Sequence, residues 1–73
     1  MKYQLQTTQE KVLEGERLIK ENEGIIYEDN SFEISGVNGS YHFENDVLTI
    51  NITNKPWLAS WSMIEEKIKQ FFE

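Results

Sequence analysis

The chain has no cysteine, a single histidine, a single proline and only seven basic residues against thirteen acidic ones, and each shortage removes possibilities. Without cysteine there is no disulfide, no thiolate metal centre and no thiol nucleophile. A formal net charge of −6 argues against general nucleic-acid binding, which needs a basic stripe to displace counterions, and against adsorption to anionic membranes. No hydrophobic run is long enough to span a bilayer, and Met1 is followed by the alternating segment Lys2 to Gln6, with no apolar core and cleavage site. A cytoplasmic protein is expected. Glycine-rich phosphate loops and dinucleotide fingerprints are also missing, so no cofactor is expected.

What is present is pattern. Phe32, Ile34, Tyr41, Phe43, Leu48, Ile50 and Ile52 alternate with polar residues, broken only around Asn38-Gly39 and Asn45-Asp46. Both dipeptides suit the φ > 0 positions of two-residue hairpin turns. With loops there, Ile34 faces Phe43, Gly36 faces Tyr41, whose ring would cover it, and Phe43 faces Leu48. All seven apolar side chains then share one face. The other face reads Glu33, Ser35, His42, Glu44, Val47, Thr49, Asn51 and Thr53 and is left to water.

Upstream, Tyr3, Leu5 and Thr7 alternate with polar residues as a short first strand. Thr7 and Glu10 have capping-box spacing and predict a helix from about Thr8 to Asn22, ended by Gly24. Its apolar stripe is thin, comprising Val12, Leu13, Leu18 and Ile19. Gly15 on the same side costs up to about 1 kcal/mol against alanine, a cost expected to secure close approach to the sheet, with a flexible joint as the alternative. Ile25 to Tyr27 open a second strand, with a bend or bulge at Glu28-Asp29-Asn30-Ser31 before Phe32. Pro56 ends the last strand and begins a terminal helix to Phe72. That helix carries Trp57, Trp61, Ile64, Ile68 and Phe71 on one stripe, widened by Leu58 and Phe72. Ser62 and Glu65 repeat the capping-box spacing, so a fresh helix start near Ser60 to Ser62 is the other option.

The expected fold is α+β: one two-layer βαβββα domain over residues 1–73, with a four-stranded, mostly antiparallel sheet and both helices on one face. The pairing of the first strand, with the second or the fourth, is open. A domain this small buries only about 60% of its unfolded surface and depends on its aromatic residues for packing.

Three places invite a functional reading. His42 on the polar face has Ser35 and Thr49 as expected neighbours, but no oxyanion hole or orienting carboxylate is evident, and a surface histidine is expected. Glu33 and Glu44 would lie opposite one another, as a two-carboxylate cation site with His42 or as a guard against edge pairing. No catalytic, cofactor or metal residue is assigned. Trp57, Leu58 and Trp61 read first as core. The competing reading is an interface of Trp57, Leu58, Trp61, Met63 and Phe72, with Met63 and Phe72 exposed in a monomer.

The run Ser35-Gly36-Val37-Asn38-Gly39-Ser40 with an aromatic after it, a Trp-Leu helix start, then Ile64-Glu65 and Ile68, resembles the small polyhydroxyalkanoic acid system (granule-region) proteins of bacteria. The similarity covers roughly Phe32 to Phe72, and this chain is shorter between the first helix and the meander. The resemblance implies the same element order and a link to polyester storage granules. It carries no catalytic residue onto this chain. The expected function is a non-catalytic binding or interaction module acting through its aromatic helix or open sheet face. Its partner would be an unknown protein or a second copy held through the terminal helix. The alternative is a small acidic inhibitor mimicking nucleic acid, of phage or mobile-element origin; a small enzyme comes last.

Overall fold

A computed structural model describes residues 1–73. Its elements run β1 (Lys2–Gln6), α1 (Gln9–Glu21), β2 (Ile25–Ile26), β3 (Ser31–Ile34), β4 (Val37–Glu44), β5 (Val47–Asn54) and α2 (Trp61–Phe72). The five strands form one antiparallel sheet in the order β1-β5-β4-β3-β2. The class is α+β, with one strand more than the pattern suggested.

The extra strand comes from the Glu28–Ser31 interruption, which reverses the chain outright. Asn30 takes a left-handed conformation at φ 65°, and the Asp29 carboxylate accepts from the Ser31 amide at 3.0 Å and the Ser31 hydroxyl at 2.5 Å. This side-chain-closed turn lets Ile26 pair with Phe32 and Ile25 with Glu33. The Ser31 hydroxyl and amide bonds hold the Asp29 carboxyl below its ordinary value.

The β3–β4 turn falls at Ser35-Gly36, not at Asn38-Gly39. Ser35 and Gly36 have φ of 50° and 79°, both central residues positive as a type I′ turn requires, and Ile34 pairs with Val37. Asn38 and Gly39 lie inside β4, where Gly39 pairs with Phe32. A Cβ on Gly39 would stand 2.5 Å from the Asn51 carbonyl oxygen and 3.0 Å from Phe32 Cζ, so glycine here admits the Phe32 ring. The aromatic cover expected over Gly36 from Tyr41 is thus supplied over Gly39 by Phe32. Ile34 has moved six residues along β4, from Phe43 to Val37, and an even shift preserves which face each side chain takes. The expected inner set therefore survives: Phe32, Tyr41, Leu48, Ile50 and Ile52 are buried, with Ile34 and Phe43 half-buried against them.

The second turn is where the pattern put it. Asn45 and Asp46 have φ of 52° and 61°, and Phe43 pairs with Leu48 and Tyr41 with Ile50. A bulge between Asn38 and Gly39 shifts the register, so that Asn38 pairs with Asn54 while Gly39 pairs with Ile52. β1 pairs with β5, Tyr3 opposite Ile50 and Leu5 opposite Leu48, which resolves its open pairing. With neighbours on both sides, β5 holds the two most buried side chains, Leu48 at 0% and Ile50 at 1% exposure.

α1 begins one residue later than the capping-box reading. Thr8 is its N-cap and accepts from the Lys11 amide at 3.2 Å, whereas Thr7 donates its hydroxyl to the Phe72 carbonyl at 2.7 Å. At its other end the left-handed residue is Glu23, φ 67°, and the Gly24 amide donates to the Ile19 carbonyl at 2.8 Å. The helix buries Val12, Gly15 and Ile19, while Leu13 is exposed. Gly15 meets α2 and not the sheet: a Cβ there would overlap the Phe72 ring. That fit buries Phe72 to 4% exposure, against the expectation that it would be exposed. Ile64, Ile68 and Phe72 of α2 join the α1 and sheet residues in a single core, so both helices cover the same face.

Candidate functional site

The terminal helix starts at Trp61, five positions after Pro56. Ser60 is extended at φ −84° and ψ 157°, and its hydroxyl accepts from the Met63 amide at 3.2 Å. Such a cap contributes about 1 kcal/mol, and Pro56 to Ser60 instead form a turn in which the Ala59 amide donates to the Pro56 carbonyl at 3.0 Å. The consequence is a changed stripe. Trp57 and Leu58 sit on this turn 86% and 78% exposed, so their reading as core is overturned. Trp61 is exposed, with the Lys55 ammonium 5.2 Å from the centre of its ring, and Met63 is 59% exposed as expected. Of the five candidate interface residues, four lie together in chain between Trp57 and Met63 and are exposed; Phe72 belongs to the core.

Behind this lip the roof does not close on the sheet. An apolar cleft of about 340 Å³ opens between α2 and the β3–β4 end of the sheet. Twelve of its sixteen lining residues are hydrophobic, with Ile34 and Val37 from the hairpin facing Met63, Ile64 and Phe71 of the helix. Pro56 and Ala59 line it too, so the turn carrying Trp57 and Leu58 forms part of its wall. The polar lining is limited to Asn22, Ser35 and Lys67. Asn22 donates its side-chain amide to the Leu18 carbonyl, while Lys67, the only charged group, enters no ion pair. The cleft was not foreseen. Its one sequence signal is Lys67 standing between Ile64 and Ile68 on an otherwise apolar helix flank.

The polar face of the sheet offers less. His42 pairs with Thr49 as expected, but Ser35 lies in the turn and is not its neighbour. His42 Nε2 lies 2.9 Å from Glu44 Oε2, and both side chains are about two-thirds exposed. The shallow depression beside His42 is lined by Lys2, Ser40, Tyr41, Thr49 and Asn51 and by no carboxylate. Glu33 and Glu44 are apart, because the shifted turn pairs Glu33 with Asn38 while Glu44 pairs with Val47; the opposed carboxylates of the cation-site reading are not formed. Glu33 instead accepts from the Tyr27 hydroxyl at 3.3 Å. No group of three or more candidate ligands is placed to hold a metal ion.

Tyr41 on the inner face is, beside Asp29, the second titrating group moved from its ordinary value. Burial pushes its hydroxyl well above the ordinary value, and its hydrogen bond to the Glu16 carboxylate adds to the rise, so it stays protonated and ties β4 to α1.

The fold and cleft define an α+β protein with a five-stranded antiparallel sheet roofed by two helices and open at one end. No protein-family model, curated protein or solved structure matches the chain. No helix is long and apolar enough to cross a membrane.

Proposed function

We propose that this protein is a non-catalytic binding module whose working surface is the cleft under α2 and its lip, Trp57, Leu58, Trp61 and Met63. The observation that carries this reading is the exposure of Trp57 and Leu58, at 86% and 78%, on a turn that also walls an apolar cavity. A domain with a limited core gains nothing in stability by exposing such residues, whereas large exposed apolar side chains at the rim of an apolar cleft suit recognition of a partner or ligand. The acidic residues are spread over α1, α2 and the outer sheet face, which favours this reading over a single mimetic ridge. The resemblance to granule-region proteins suggests the setting, an apolar polyester surface or its associated proteins in the bacterial cytoplasm.

Titration with Nile red, an uncharged apolar probe, tests the reading. The native chain binds it saturably, and Met63→Glu weakens binding at least fivefold. Met63 is exposed and stands four residues before Lys67, a spacing at which glutamate and lysine support the helix, so the variant keeps its fold. Failure of the native chain to bind the probe ends the proposal. Sedimentation of the same samples shows whether a second copy occupies the face.

A further inference from the structure

The cleft has a chemical asymmetry that goes beyond its being apolar. Its walls are hydrocarbon and aromatic, and the only ionic residue lining it is Lys67, which is exposed. Its ammonium has no carboxylate within ion-pair distance, in a chain that carries thirteen acidic residues and a net charge of −6. Ser35, on the turn across the cleft, brings a hydroxyl to the lining as a second donor. The site thus pairs a largely apolar lining with hydrogen-bond donors and no acidic side chain.

We infer that the cleft binds a medium-chain amphiphilic carboxylate, its hydrocarbon tail between Ile34 and Val37 of the hairpin and Ile64 and Phe71 of α2, its head group at Lys67. This rests on the reading of the cleft as the binding surface and gives it a ligand class. The volume sets a scale: about 340 Å³ is more than twice the roughly 150 Å³ of an engineered apolar cavity that takes up benzene, so a hydrocarbon tail of about ten carbons is a suitable probe. A protein of net charge −6 attracts cationic amphiphiles and repels anionic ones at long range, so preference for a carboxylate has to be local to Lys67.

The test compares decanoate, decanol and decyltrimethylammonium, each below its micellar concentration, by amide chemical-shift titration of the native chain at physiological salt. Expected are saturable one-to-one shifts with decanoate at Ile34, Val37, Ile64, Lys67 and Phe71, and at least threefold weaker binding of decyltrimethylammonium. Lys67→Gln keeps a good helix former at an exposed site; it is expected to weaken decanoate at least threefold and leave decanol unchanged. Decanol binding with no preference for decanoate overturns this inference and leaves the binding-module reading standing. Absence of saturable shifts with any of the three overturns both. Decyltrimethylammonium binding as tightly as decanoate, or concentration-dependent dimerisation that decanoate does not reverse, shows that Lys67 does not select the occupant and overturns the inference.

Discussion

The two ends of α2 carry similar residues and meet opposite fates. At its C-terminal end Phe72 is buried against Gly15 of α1, with the Thr7 hydroxyl bonded to the Phe72 carbonyl, even though Phe71 and Phe72 also contribute to the cleft lining. At its N-terminal end Trp61 and Met63, with Trp57 and Leu58 just before them, face outward beside an open cleft. Hydrophobicity does not separate the two; the facing surface does. Phe72 is buried because a glycine opposite leaves room for its ring, while Trp57 and Leu58, on the turn before α2, are left 86% and 78% exposed. Two of the buried aromatics, Phe32 and Phe72, each have a glycine across from them, Gly39 and Gly15, whose missing side chain makes room for the ring.

The strongest way to break this contrast is to damage the closed end. Leu48→Ala removes buried methyl groups at a site with no exposure and is expected to cost about 2 to 5 kcal/mol in chemical denaturation, enough to leave the domain largely unfolded. Gly15→Ala comes next. On a solvated helix this change stabilises by up to about 1 kcal/mol, but against the Phe72 ring it is expected to destabilise by about 1 to 3 kcal/mol. The opposite sign in a denaturation series would mean that the two helices are not packed as described.

Tyr41 sharpens the contrast through pH. Its hydroxyl pKa is raised in the folded state, so the protonated form is favoured there. The corresponding stability is fully present below the ordinary value of about 10 and is lost as pH rises above it, where the unfolded chain ionises first. Tyr41→Phe is expected to cost about 1 kcal/mol at neutral pH and to flatten the stability profile between about pH 10 and 12. An unchanged alkaline limb would locate the titration elsewhere.

The smallest effect belongs to the open end: Trp57→Ala and Leu58→Ala are each expected to shift stability by less than about 0.5 kcal/mol while weakening apolar-probe binding. A loss of more than about 1 kcal/mol from either would show that the lip contributes to the core.

Much of this was legible in the chain. Alternation from Phe32 to Ile52 reports which face is buried, because side-chain direction depends only on parity; it says nothing about sliding by an even number of residues. That is how the inner face came out as expected although the turn sits at Ser35-Gly36 and Ile34 meets Val37. Asn45-Asp46 was readable because, in the short stretch between Phe43 and Leu48, these two residues are the ones that tolerate positive φ. The polar cluster at Glu28–Ser31 was visible as a break, but whether it bends or reverses depends on the Asp29 side chain closing on Ser31. The cleft was hidden for a different reason. A stripe drawn from Trp57 to Phe71 presumes that helix runs through Ala59, and the Ser60 cap, a local hydrogen bond, prevents it. Ser62 and Glu65 correctly marked a fresh start in that region, although the capping residue itself is Ser60.

Whether the open end binds while the closed end only stabilises can be read from a single amide chemical-shift map of the native chain titrated with Nile red. Saturable shifts are expected at Ile34, Val37, Met63 and Lys67, with Leu5, Val12 and Leu48 unmoved. Shifts absent altogether, or distributed as strongly over Leu5, Val12 and Leu48, would contradict this division of roles.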